Sequence, residues 1–125
     1  MINLKAYEQE AVIPDCPFCD IVEGKAASKK VFEDELVYAF EDTHPQAPTH
    51  VLVIPKKHIS GLQNAEPNDA ELIGHCYLVA ARIAGERKIE DSFRAVCNVG
   101  LRAGQAVHHL HIHVLGGRNM KWPPG

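Results

Sequence analysis

The sequence contains no apolar run that approaches the length of a membrane span. It has no basic excess either. A formal net charge of −3 over 125 residues lacks the electrostatic footprint that duplex nucleic acid requires of a partner. The opening stretch, MINLKAYEQEAVIPD, mixes charged with apolar residues and offers no continuous apolar core or small-residue cleavage site, so no secretory signal and a cytoplasmic location are expected. The four cysteines then read as free thiols or metal ligands rather than as a disulfide framework. Repeats, low-complexity tracts and linker-like segments are missing. Residues 1–14 read as a loosely attached arm and residues 15–125 as one domain. A hydrophobic content of 46% and a charged content of 23% are ordinary for a globular chain of this length.

What the sequence has in abundance is histidine, and it is concentrated. Four of the eight histidines fall in HHLHIHVLGG, residues 108–117. His109, His111 and His113 alternate with Leu110, Ile112 and Val114. In an extended strand, residues two apart share a face and lie about 6.6 Å apart, so this pattern predicts a row of imidazoles backed by aliphatic core.

The remaining elements follow from periodicity and punctuation. Pro17 opens a short helix through Phe18, Ile21 and Val22, closed by Gly24. KKVFED and LVYAFED read as two strands joined at Glu33–Glu35, and HVLVIP as a buried strand closed by Pro55. Leu72, Cys76, Val79, Ala80 and Ile83 form one apolar stripe at helical spacing, with start signals at Pro67, Asn68 and Asp69 and Gly85 near the end. His75 falls on the flank away from that stripe and is expected in solvent. FRAVCNVG is a further strand, and LRAGQ a glycine-containing loop ahead of the histidines. The sum is an α+β layer structure: about five strands in a mostly antiparallel sheet, with one long and one short helix. Cys76 and Cys97 read as core residues.

A histidine row on a strand has two chemical uses. Two imidazoles at i and i+2 can ligate a metal, usually with a carboxylate. Alternatively, one histidine acts as nucleophile or base while its neighbours set its tautomer and stabilise an anion. VLGGR, after the row, supplies no carboxylate. GLRAGQAV, before it, contains Gly104 and can aim backbone N–H groups at a phosphate. The second use is therefore favoured.

His109-Leu110-His111-Ile112-His113-Val114-Leu115 resembles the histidine-triad motif of the HIT superfamily. DTHPQAPTHVLVIPKKHIS, NVG, AGQAVHHLHIHVLGGR and the terminal WPPG are similar to its Hint branch, the histidine-triad nucleotide-binding proteins. The resemblance implies a five-stranded antiparallel sheet that extends across a homodimer. It also implies hydrolysis of purine nucleoside phosphoramidates to the monophosphate and an amine. On that pattern His111 corresponds to the nucleophile that forms a nucleotidyl-histidine intermediate, and His113 to a contact with the phosphoryl oxygens, helped by the backbone of Gln105, Ala106 and Val107. His109 and His50 correspond to orienting histidines, Asp42 to the ribose-binding carboxylate and Asn98 to a polar contact near it. Phe18, Ile21, Phe40 and Leu52 correspond to the base slot, and Trp122 to a residue that reaches the partner's site. His44, His58 and His108 are given no catalytic role.

Two departures stand out. Ala106 replaces the serine common in the branch, which predicts a slower phosphoramidase. Cys16 and Cys19, in CPFC, supply half of a tetrahedral zinc site, and by resemblance His50 and His109 complete it. Unrelated thiols and a redox pair are the alternatives, the latter disfavoured by the absence of a surrounding β-α-β pattern. The functional rivals are a Fhit-like dinucleoside polyphosphate hydrolase, a nucleotide-binding regulatory module and a metal-centred hydrolase.

Overall fold

The computed structural model describes residues 15–125. The expected N-terminal arm, residues 1–14, lies outside the described residues. Helix α1 (Pro17–Val22) starts where Pro17 occupies the first turn and the Sγ of Cys16 accepts the Cys19 N–H at 3.3 Å. Strands β1 (Lys30–Glu33), β2 (Val37–Glu41) and β3 (Thr49–Pro55) follow, then α2 (Ala70–Glu86), β4 (Phe93–Val96) and β5 (Ile112–Gly116). The five strands form one sheet in the order β1-β2-β3-β5-β4, with every neighbouring pair antiparallel. This is the five-stranded antiparallel arrangement with one long and one short helix that the sequence predicts. Among the described residues, no helix is long and apolar enough to cross a membrane.

Alternation sorts the sheet's two faces. Val37, Ala39, Val51, Val53, Ile112 and Val114 pack against Cys76, Val79, Ala80 and Ile83 of α2. Burying each of the larger aliphatic side chains there stabilises the fold by roughly 1.5–3 kcal/mol. On the other face Tyr38, Phe40, Leu52 and Ile54 pack with Cys16, Phe18 and Cys19 from α1. Strand β3 is buried along its whole length because both faces are covered.

Ahead of α2, the Glu66 N–H donates to the buried Asp69 carboxylate at 2.9 Å, and Lys57 Nζ reaches the same group at 2.9 Å. The helix runs past Gly85, and the left-handed residue beyond its end is Lys88, with φ 61°. His75 is not simply solvated. Its Nε2 lies 2.6 Å from Oδ2 of Asp34, which ties α2 to the β1–β2 turn.

The histidine row is only partly in the sheet. β5 begins at Ile112, paired with Val53 of β3. Two register steps further, Leu110 would face Pro55, which has no N–H to donate. The Leu110 N–H instead donates to the Ile59 carbonyl at 2.6 Å. His109 to His111 therefore lie ahead of the strand, and Leu110 packs with Ile59 in a separate small cluster bordered by Leu72 and Ile73 of α2.

Candidate functional site: a histidine network and a four-donor cluster

His111, His50 and His109 are each oriented by a backbone group whose hydrogen-bonding role is fixed, which assigns their tautomers and, through His50, that of His113. The carbonyl of His109 accepts from Nδ1 of His111 at 2.7 Å. The proton of His111 is thus on Nδ1, and its Nε2 carries the lone pair. Nδ1 of His50 accepts the backbone N–H of Gln46 at 3.0 Å, so its proton is on Nε2. That Nε2–H faces Nδ1 of His113 at 2.9 Å and Oδ2 of Asp42 at 3.3 Å. Nδ1 of His113 must then accept, which leaves Nε2–H of His113 as a donor. His111 presents a lone pair and His113, two residues on, presents an N–H, with ring centroids 5.0 Å apart. Asp42, His50 and His113 also lie close enough to hold a metal ion. The proton on Nε2 of His50 makes the trio a hydrogen-bonded chain instead.

Burial keeps this network neutral. Desolvation pushes the His109 and His113 pKa values down to about 4, and it lowers those of His111 and His50 as well. For His113, the neighbouring His111 and His50 add to the effect. Between about pH 4 and the ordinary histidine value of 6.5, the unfolded chain binds more protons than the folded one. Stability should therefore be greatest above pH 6.5 and decline as the pH falls through that window. Urea unfolding midpoints at pH 7.5, 6 and 5 should decrease in that order. Equal midpoints would mean that the buried histidines charge as readily as free ones.

His111 and His113 open into a cavity of about 360 Å³ lined also by Phe18, Ile21, Phe40, Leu52, Asp42, Gly104, Ala106 and Val107. A second cavity, of about 710 Å³, shares Ile21, Phe40, Asp42 and Thr43 with it and extends past Ser28 and Lys29. The apolar residues come from α1, β2, β3 and the loop ahead of the histidines, and the carboxylate from the turn after β2. Oδ1 of Asp42 accepts the His44 N–H at 2.7 Å, which aims the carboxylate along the cavity wall. The ring of Phe18 meets His111 edge-on, with centroids 5.2 Å apart.

The loop before the row is braced from within. Gly104 has φ 97°, a conformation that favours glycine, and a side chain at that position would meet Nδ2 of Asn98. The buried Gln105 accepts the Gly100 N–H at 2.9 Å through Oε1, and its Nε2 donates to the carbonyls of Ser60 and Val107 at 2.9 and 3.2 Å. The Gln105 side chain is thus committed to holding the loop, its own N–H donates to the Gly100 carbonyl at 3.1 Å, and the residue stands outside the cavity lining, so the phosphate contact expected of it falls instead to Ala106 and Val107. Asn98 and Trp122 are outside the cavity lining. Trp122 is 81% exposed, beside the guanidinium of Arg94. Thr43 and His44 do line the cavity and were missed, because a polar loop after a strand carries no periodic signal.

Behind the row lies a second constellation. Cys16, Cys19, His58 and His109 are all buried, with one ligand atom from each within 4.8 Å of the others. Nε2 of His109 donates to the Pro55 carbonyl at 2.8 Å, so its Nδ1 offers a lone pair. That nitrogen lies 3.4 Å from Sγ of Cys16, 3.7 Å from Sγ of Cys19 and 3.2 Å from Nδ1 of His58. The tetrahedral edges expected from ordinary zinc bond lengths are about 3.6 Å for sulfur to nitrogen and about 3.3 Å between nitrogens. The four side chains fit a structural zinc ion of the Cys2His2 type, and the Pro55 carbonyl supplies the outer hydrogen bond that such histidine ligands need.

The expected fourth ligand, His50, is not there. In the β3–β5 register His50 faces Leu115, six residues along the chain from His109, and its ring bonds to His113 and Asp42 instead. His58 takes its place because the chain turns back after Pro55, whose carbonyl already holds the His109 ring. His109 belongs to the donor cluster, and its direct link to the reactive face is its backbone carbonyl.

The chain matches the model of the HIT domain over residues 23–120. It is 44% identical to a 14 kDa zinc-binding protein of Zea mays, with 94% of this chain and 98% of that one covered. The crystal structure of a HIT family hydrolase from Legionella pneumophila superposes with a TM-score of 0.87 at 44% identity, covering 89% of this chain and all of the other. A histidine triad nucleotide-binding protein from Candida albicans gives a TM-score of 0.75 at 28% identity, over 89% and 85% of the two chains. A sheet, a histidine row and a cavity in this arrangement, together with these matches, place the sequence: the chain belongs to the HIT domain family.

Proposed function

We propose that the protein is a Hint-like hydrolase of purine nucleoside phosphoramidates. The observation that carries the reading is the lone pair on Nε2 of His111, held toward the cavity by the His109 carbonyl beside the N–H of His113. That nitrogen attacks phosphorus, the phosphorus–nitrogen bond breaks, and the amine leaves after taking up a proton from solvent. The Nδ1–H of the resulting nucleotidyl-imidazolium stays bonded to the His109 carbonyl. Water then attacks the same phosphorus, releases the monophosphate and restores neutral His111. The Nε2–H of His113 donates to a phosphoryl oxygen, an interaction of about 2.7–4 kcal/mol when it strengthens in the transition state. Phe18, Ile21, Phe40 and Leu52 cover the base, and Asp42 accepts from the ribose hydroxyls. The Cys16–Cys19–His58–His109 cluster holds zinc outside this chemistry, a reading that the zinc-binding relative supports. Release of AMP from adenosine 5′-phosphoramidate tests the assignment. Binding of AMP with no turnover would favour the regulatory nucleotide-binding reading instead.

Ala106 lines the cavity without a hydroxyl. Ala106→Ser should raise the turnover number about five- to tenfold, the worth of one added hydrogen bond of about 1–1.4 kcal/mol. An unchanged turnover number would make position 106 irrelevant to the chemistry.

A homodimer and a cytoplasmic, reducing location complete the proposal. Leu78 on α2 is 71% exposed, β4 is an edge strand, and Trp122 stands clear of its own cavity, as an interface residue would in a single protomer.

A further inference from the structure

Two connections run from the donor cluster to the nucleophile. One is main chain: His109 enters the cluster through Nδ1, and its own carbonyl accepts from Nδ1 of His111 at 2.7 Å. The other is a side chain. Phe18 sits in α1 between Cys16 and Cys19, and its ring meets both His111 and His109 edge-on, at 5.2 and 5.8 Å. The stretch that carries these contacts precedes the β5 ladder, so pairing with β3 does not set its position. The ring of His109 shares that task with the Leu110 N–H bonded to the Ile59 carbonyl; it is anchored at one nitrogen by the Pro55 carbonyl and at the other by the cluster.

We infer that the Cys16–Cys19–His58–His109 centre is a positioning device for His111 as well as a structural staple. With a metal bound, the four side chains fix the His109 carbonyl and the Phe18 ring, and through them the tautomer and aim of His111. Without it, α1 and the His109 segment are no longer tied together, and the chain binds nucleotide but forms the covalent intermediate slowly. His58 and the two cysteines act here through other residues and touch no substrate. The inference rests on the reading of His111 as the nucleophile.

The test compares zinc-loaded and zinc-free full-length protein at low temperature by three readouts. Long-range nitrogen–proton spectra should show one Nδ1–H tautomer for His111 in the loaded protein, and a shifted or averaged signal in the zinc-free one. The single-turnover rate of nucleotidyl-His111 formation from adenosine 5′-phosphoramidate should fall about 10–100-fold, the scale expected for a misplacement of up to about 1 Å. The dissociation constant for AMP should change by less than about threefold. Identical His111 signals in the two forms overturn the inference. A shifted signal in a protein whose loaded form makes no covalent adduct overturns the nucleophile reading and retains the positioning. Should the zinc-free chain unfold, Cys16→Ser decides, because its three remaining ligands allow occupancy to be titrated. His111 signals and rate must then follow zinc bound while far-ultraviolet ellipticity stays constant. If they follow ellipticity instead, the coupling is stability alone and the inference fails.

Discussion

His111→Ala should reduce AMP release from adenosine 5′-phosphoramidate by about 10⁴-fold or more and abolish the covalent adduct seen by intact mass. The size of the effect comes from the geometry. His113 has its Nδ1 occupied by His50 and presents a proton to the cavity, while the lone pair of His109 is directed into the donor cluster. Neither ring can substitute as nucleophile without breaking the hydrogen bond that sets its tautomer. His113→Ala removes one donor and should cost about 10²–10³-fold. AMP affinity should survive the His111 change, since Phe18, Ile21, Phe40, Leu52 and Asp42 are untouched. A His111→Ala protein within tenfold of wild type would move the chemistry elsewhere.

The second large effect concerns stability. Cys19→Ser, or removal of metal by a strong chelator, should lower the thermal midpoint by more than about 10 °C. The four donors come from α1, from the turn after β3 and from the approach to β5, so a metal there joins three segments far apart in sequence. Zinc-finger peptides draw about 10–16 kcal/mol of apparent binding free energy from such a site. This chain already has a core, so only part of that is at stake. A loss of about 3 kcal/mol suffices for the predicted shift in a domain of this size. Cys76→Ala, in the α2 core, and Cys97→Ser should leave bound zinc at one per chain by elemental analysis. Equal midpoints for wild type and Cys19→Ser, with and without chelator, would remove the metal.

Much of this architecture can be read from residue order. The alternation in HVLVIP and HIHVLG and the stripe from Leu72 to Ile83 specify which faces meet, because burial rewards one period in strands and another in helices. The cavity's apolar residues and Asp42 came from resemblance, since Phe40 and Leu52 alone look like core. The exchange of His50 for His58 was invisible for a different reason. Ligand choice depends on where the chain turns after Pro55, and loop trajectory leaves no periodic trace. The same applies to Thr43 and His44 at the cavity, to the inward commitment of Gln105, and to the pairing of His75 with Asp34. In each case a polar side chain found its partner through a turn.

Strand β3 divides its side chains between two tasks. Val51 and Val53 face the α2 core, whereas His50, Leu52 and Ile54 face α1, with His50 beside His113 and Leu52 in the cavity wall. Odd and even positions of a single segment are therefore open to separate evolutionary pressures. On the proposed reading of the cavity, variation at 52, with its neighbours Phe40 and Ile21, would retune the choice of ligand while the odd-numbered set continues to pack against α2.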